Sequence, residues 1–351
     1  MYKKFFMGIA AMAALTLVSC SSDDLNSLSG TPSKNEAISF DSYLGRSAVS
    51  VNGSRGSVLN KDALQKPTEG FGVFGNYSST GTTTAYGENL FKNQKVTYSA
   101  DETKWTYSPV KYWSPQGHID FLAYAPYVEN KELKENSKLD FTVSSTIADQ
   151  KDLLWANAAN QTKQNNSGTD KKVKFQFAHA LSRLGYTVKT DLTSSSDVTS
   201  SSDVTITLKK ITLAGSKDGI QKAFYPKGTI NLSTGVWTPS TTDEKQIFVW
   251  LSTDKTLDSD TKNSDKEYLF VIPQNFSKTE ENADALFVIV EYTIKYGDEK
   301  PVTYTVSSQL KQNFEQGTAY SINLTLGLTP IEFDADVTAW KDTDQKDVYW
   351  N

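Results

Sequence analysis

The chain has 351 residues, 38% hydrophobic and 22% charged, with 36 Lys+Arg against 41 Asp+Glu and a formal net charge of −5. That apolar content rules out wholesale disorder, and an acidic chain whose only arginines are Arg46, Arg55 and Arg183 lacks the basic face that nucleic acid requires. One cysteine and two histidines leave no material for a zinc cluster, a disulfide framework or a Cys/His dyad.

The chain opens with Lys3 and Lys4, followed by a largely apolar run from Phe5 to Val18. A bilayer span needs about 20 residues, so this run reads as the core of a secretory signal. It ends in Leu17-Val18-Ser19-Cys20, which resembles the lipobox of bacterial lipoproteins. Residues 1–19 are therefore expected to be removed. Cys20 is expected to be lipidated and to tether the protein to a membrane leaflet. The acidic Ser21-Ser22-Asp23-Asp24 is similar to the surface-export signal of Bacteroidetes lipoproteins. Residues 20–36 are polar and read as a flexible tether.

From residue 37 onward the apolar pattern has period two, the signature of strands. Ile38, Phe40 and Leu44 share one face of a first strand over Ala37–Leu44. Tyr320, Ile322, Leu324, Leu326 and Leu328 alternate most clearly, and Ile331, Phe333, Ala335 and Val337 repeat the alternation. Apolar runs at Ile247–Leu251, Tyr268–Ile272 and Leu286–Tyr292, the last interrupted by Glu291, read as strands buried on both faces. Short strands with frequent turn residues predict antiparallel sandwiches. The polar stretch Gln161–Lys172 is the expected boundary between an N-terminal domain, 37–165, and a C-terminal domain, 166–351. A six-residue tandem repeat, Ser194–Thr199 and Ser200–Thr205, reads as a duplicated loop between two hairpin strands, Leu184–Lys189 and Val204–Leu213.

Chemistry is sparse. His118 and His179 lack any neighbouring His/Glu motif and read as structural residues, hydrogen-bonded or exposed on a strand or turn. No nucleophile elbow, P-loop or dinucleotide fingerprint occurs. The carboxylates fall mostly in polar runs, so the chain reads as a non-enzyme needing no metal or cofactor. Trp105, Tyr107, Tyr112, Trp113, Phe121, Tyr124 and Tyr127 crowd one stretch, and core packing explains them better than sugar stacking.

Six segments in series carry a resemblance: Ala37–Phe40; Tyr112–Pro115 leading to Ile119–Pro126; Asp152–Ala156; Phe177–Leu184; Val271–Gln274; and Phe314–Tyr320 running on to Ile331 and Trp340. In this order and spacing they resemble the fimbrillin family, the type V pilins of Bacteroidales. The resemblance implies two tandem transthyretin-like β-sandwich domains on a surface-exposed outer-membrane lipoprotein. It also implies head-to-tail assembly with other pilin subunits. In that scheme the first strand (Ile38, Phe40, Leu44) fills a groove, a protease cuts after an Arg beyond it, and a C-terminal strand of the next subunit replaces it. Arg46 and Arg55 are the candidate cut sites, in a Gly/Ser-rich stretch of the kind proteases favour. Donor candidates are Ile331, Phe333 and Val337, which serve equally as the last strand of the chain's own sheet, and Val348 and Trp350, which suit the donor role better. The alternative is a non-polymerising surface or pilus-tip adhesin of the same fold that binds a glycan or host ligand.

Overall fold

The computed structural model describes residues 36–44, 59, 61–66, 68–166, 171–190, 204–250, 254–257, 262–263, 267–277 and 284–327, and the backbone of 334–339. Over these residues the chain is almost all strand, as the period-two pattern predicts. Two helices of four residues, α1 (Lys61–Leu64) and α2 (Lys163–Asn166), interrupt it.

The first part supplies β1 (Phe40–Leu44), β2 (Phe71–Ser78), β3 (Phe91–Ser99), β4 (Lys104–Thr106), β5 (His118–Ala125), β6 (Lys138–Thr142), β7 (Leu154–Gln161) and β8 (Val173–His179). Seven of them form one sheet in the order β1-β8-β7-β5-β2-β3-β4. The sheet curls until its end strands, β1 and β4, approach each other. Its inner face closes over Phe40, Phe71, Phe91, Phe121, Phe175 and Trp105.

The remaining strands are β9 (Ser182–Thr190), β10 (Val204–Ala214), β11 (Lys227–Asn231), β12 (Trp237–Pro239), β13 (Phe248–Trp250), β14 (Lys255–Leu257), β15 (Lys262–Asn263), β16 (Leu269–Val271), β17 (Gln274–Asn275), β18 (Phe287–Tyr296), β19 (Val302–Gln309), β20 (Asn313–Phe314), β21 (Ala319–Leu326) and β22 (Asp334–Ala339). One sheet runs β13-β10-β18-β19 with β14 also on β10, and another runs β15-β9-β21-β22 with β16 also on β9. Leu208, Val290 and Tyr292 from the former share a core with Leu184, Val188, Ile322 and Leu324 from the latter. Two sheets burying a common apolar layer make a sandwich.

The two parts are joined by more than a linker. β6, from the first part of the chain, stands outside the seven-stranded sheet and pairs with β11, which pairs with β12. Phe74, Leu122, Tyr124 and Leu139 from the first part belong to the same core cluster as the second sandwich. Trp237 donates from Nε1 to the Ala180 carbonyl (2.7 Å), Asn157 donates to the Ser233 carbonyl (3.0 Å), and Gln150 accepts from the Phe270 amide (2.7 Å). Gly235 presses on the Trp155 ring. Its φ of +76° is one that side chains rarely adopt, and an added Cβ would lie 2.3 Å from Trp155 Cζ2.

Three expectations shift. The boundary at 165/166 falls between β7 and β8, which are neighbours in one sheet. Val173, Phe175 and Phe177 are needed to complete the inner face that β1 covers, whatever the polarity of the preceding stretch. The flanks of the tandem repeat are not a hairpin: β9 and β10 lie in different sheets, each with partners far along the chain. Thr205, the last residue of the repeat, lies in β10, while residues 194–203 are outside the described residues. The run at Ile247–Leu251 holds a strand buried on one face only, because Val249 is 45% exposed between buried Phe248 and Trp250. By contrast Tyr268–Ile272 is buried throughout.

Candidate strand-binding slot

β1 is the first strand among the described residues, and its alternation decides how it sits. Ile38, Phe40 and Ser42 point inward and are buried, Leu44 packs against the same cluster, and Tyr43 is exposed. Phe40 lies at the centre of an aromatic cage. Its ring centroid is 5.6 Å from Phe91, 5.4 Å from Tyr107, 5.5 Å from Phe121 and 5.6 Å from Phe175. Full burial of a side chain such as Ile38 or Phe40 is worth about 1.5–3 kcal/mol each.

The backbone of β1 is held unevenly. Along one side it runs parallel to β8, with Phe40 opposite Val173, Ser42 opposite Phe175 and Leu44 opposite Phe177. Val173 donates to the Ser39 carbonyl (2.9 Å). On the other side, among the described residues, the pairing is one antiparallel bridge between Ala37 and Tyr112. There the Ile38 amide donates to Lys111 O and the Trp113 amide donates to Glu36 O, both at 2.8 Å. Tyr107 donates its hydroxyl to the Ile38 carbonyl (2.7 Å), and burial pushes that phenol up to about 12. Lys163 closes the entry with an ion pair to Glu36. Without β1, the β8 backbone and the rings of Phe91, Phe121 and Phe175 would line an open slot.

Leu59 packs in the same core. Its amide donates to the buried Asp152 carboxylate (3.2 Å), whose same oxygen meets His179 Nδ1 at 2.7 Å. His179 ends β8, two residues beyond the partner of Leu44. The other histidine, His118, meets Asp120 at 3.2 Å, and Asp120 also accepts from the amides of Ala85 and Asn160. Both histidines thus bind buried carboxylates that fix backbone, in keeping with the structural role read from sequence. Among the described residues no group of three His, Cys, Asp or Glu side chains is placed to hold a metal. No helix there is long and apolar enough to cross a membrane.

Of the sequence-named residues, Ile38, Phe40 and Leu44 come together in the slot. Val337 lies on β22 and pairs with Ile322 of β21, on the chain's own sheet. Cys20, Arg46, Arg55, Ile331, Phe333, Val348 and Trp350 lie outside the described residues. Of the aromatic stretch, Trp105, Trp113, Phe121 and Tyr124 are core residues, whereas Tyr112 is 44% exposed. Sequence reading did not anticipate that β8, Tyr107 and the 111–113 segment form the walls. The alternation of Val173, Phe175 and Phe177 was the available signal.

A family model described as fimbrillin-like matches residues 60–340. The fold is similar to that of a fimbrial protein from Bacteroides vulgatus, with a TM-score of 0.62 and 21% identity over 88% of this chain and 100% of that one. It is also similar to a Bacteroides uniformis protein whose name provisionally assigns it to cell adhesion, with a TM-score of 0.50 and 18% identity over 88% of this chain and 99% of that one. No curated protein sequence matches the chain.

Proposed function

The chain belongs to the fimbrillin-like family, and from that premise we propose that it is a type V pilus subunit, anchored in the outer membrane through lipidated Cys20 and assembled by protease-triggered strand exchange. The observation that carries this reading is the seat of β1. Phe40 is caged by four rings, yet the strand is paired along its full length on one side only. Its sequence runs directly into a Gly/Ser-rich stretch with Arg46 and Arg55. A cut there frees β1 from the fold, and a strand from a neighbour restores both the backbone pairing and the apolar seal, which is β-augmentation. The contact is head-to-tail and does not close, so it propagates as a filament. The chain's role in this reading is structural, with other pilin subunits as partners, and it needs no cofactor.

The test is limited trypsin digestion of the purified precursor. Cleavage at Arg46 or Arg55 should release β1 and yield heat-sensitive multimers; a cut product that stays monomeric at high concentration refutes polymerisation. Cys20→Ala should release the protein from membranes, and continued retention would defeat the anchor. A second reading, a non-polymerising tip adhesin binding a glycan or host ligand, draws support from β22, which rests on its own sheet.

A further inference from the structure

A sheet that ends in water exposes a row of unpaired N–H and C=O groups, and folded chains blunt such edges with shortness, charge or proline. The end strands here follow that rule with one exception among the described residues. β4, β12–β17 and β20 are three residues or shorter. β1 carries Asp41, β6 carries Lys138 and Asp140, and β22 carries Asp334 and Asp336. The exception is β19. It ends its sheet as eight residues, Val302 to Gln309, with no Lys, Arg, Asp, Glu or Pro. No bulge interrupts its register on β18.

The ladder fixes which backbone groups are free. The Leu310 amide donates to the Leu286 carbonyl (2.8 Å), in line with the register that sets Gln309 opposite Phe287. Antiparallel bonding alternates along a strand. The even-numbered residues of β19 therefore bond to β18, and the N–H and C=O groups of Thr303, Thr305, Ser307 and Gln309 point out along the open edge. All four residues are exposed. β22, at the end of the facing sheet, approaches β19 without pairing with it. The apolar side of this edge is unfinished too. Val302 is 51% exposed, and Tyr304, stacked on Tyr292 with ring centroids 5.7 Å apart, is only partly buried.

We propose that the free edge of β19 docks a second copy of this chain, antiparallel through β19 of each, so that one sheet runs on into the other. Two observations select a second copy. A two-fold pairing lays the strand on itself, and β19 has no charge to meet its own like. Thr and Ser then fall mostly opposite Thr and Ser, a favourable cross-strand combination. Antiparallel pairing also sets the segment before β19 in one copy beside the segment after β19 in the other. The first holds Asp298, Glu299 and Lys300, net acidic, and the second holds Lys311. All four are exposed, and none forms an ion pair among the described residues. Unlike charge therefore meets at both ends of the contact. A single strand pair falls short of the ~1,000 Å² that stable interfaces clear. The contact is weak between free copies and strengthens where many copies are held side by side. It leaves the slot of β1 untouched and is independent of strand exchange.

The test uses the mature chain, uncut so that β1 stays in place, and carrying Cys20→Ala so that neither lipid nor a disulfide joins copies. Sedimentation from about 1 μM to 1 mM should show a monomer–dimer equilibrium. The amides of Thr303, Thr305, Ser307 and Gln309 should gain protection from hydrogen exchange as the dimer forms. Thr305→Lys should raise the dissociation constant by roughly tenfold or more. Thr205→Lys makes the same change at an exposed position of β10, away from the edge, and should leave the constant unchanged. A synthetic 302–309 peptide should compete with the dimer. A chain that stays monomeric throughout overturns the proposal, as does a dimer that neither Thr305→Lys nor the peptide weakens. Edge amides already protected in the dilute monomer would mean that the chain covers its own edge. A peptide that binds while the chain stays monomeric would assign the edge to a strand of another protein. Either of these results also overturns the second-copy contact.

Discussion

Two seams hold this molecule, and they are built on opposite plans. The seam around β1 rests on one parallel ladder, one short bridge and one caged ring. The seam between the two parts is interlocked: strands cross it, side chains hydrogen-bond across it in both directions, and the core is continuous through it. The first concentrates its free energy in a few inward side chains of one short segment. The second spreads it over elements distant in sequence. A concentrated seam opens as a unit when its segment is cut free, whereas a distributed one opens only with the fold.

The largest effect belongs to the cage. Phe40→Ala should cost about 3–5 kcal/mol, read as faster hydrogen exchange of the Val173 and Phe175 amides, with a smaller change at the other seam. If the 182–190 and 319–326 strands lose protection equally, the two seams are not independent. Gly235→Ala tests the opposite side. The added methyl meets Trp155 at a positive φ, and a loss of about 2 kcal/mol should lower the unfolding temperature of the whole molecule. A change confined to β1 would break the comparison. Trp237→Phe removes the donor to Ala180 O and should cost roughly 1 kcal/mol or slightly more, again seen in global unfolding.

The smallest effect is the finest probe. Tyr107→Phe removes one hydrogen bond to Ile38 and should cost about 1 kcal/mol, measured as easier β1 release after cleavage. Burial raises the Tyr107 phenol from its ordinary 10.0 to about 12, with the Lys111 backbone contact pulling partly back. The folded state holds that proton more tightly than the unfolded one. Its contribution is therefore complete below pH 10 and is lost as pH rises through 12. Release of β1 should quicken in that window for the native chain, and the Tyr107→Phe protein should lack that part of the response.

The strands themselves were legible where one face is wet. Ile38, Phe40 and Leu44, and Tyr320 through Leu326, alternate because water on one side and core on the other impose period two. Partners were not legible. Nothing in Gln161–Lys172 reveals that Val173–His179 belongs with strands before it, because pairing is a non-local choice made by shape and by what remains to be covered. The same gap hid the walls of the slot. Tyr107 and Phe175 look like ordinary core residues until β1 is laid between them. Asp152 and Asp120 were invisible for a related reason: a buried carboxylate that pins backbone amides has no local motif, only the geometry of the groups around it.

The three-stranded sheet shared by β6, β11 and β12 has a mechanical consequence. Tension applied between the two parts of the chain meets interlocked strands and not a slack hinge. The two parts then behave as a single strut that yields only when its strands separate.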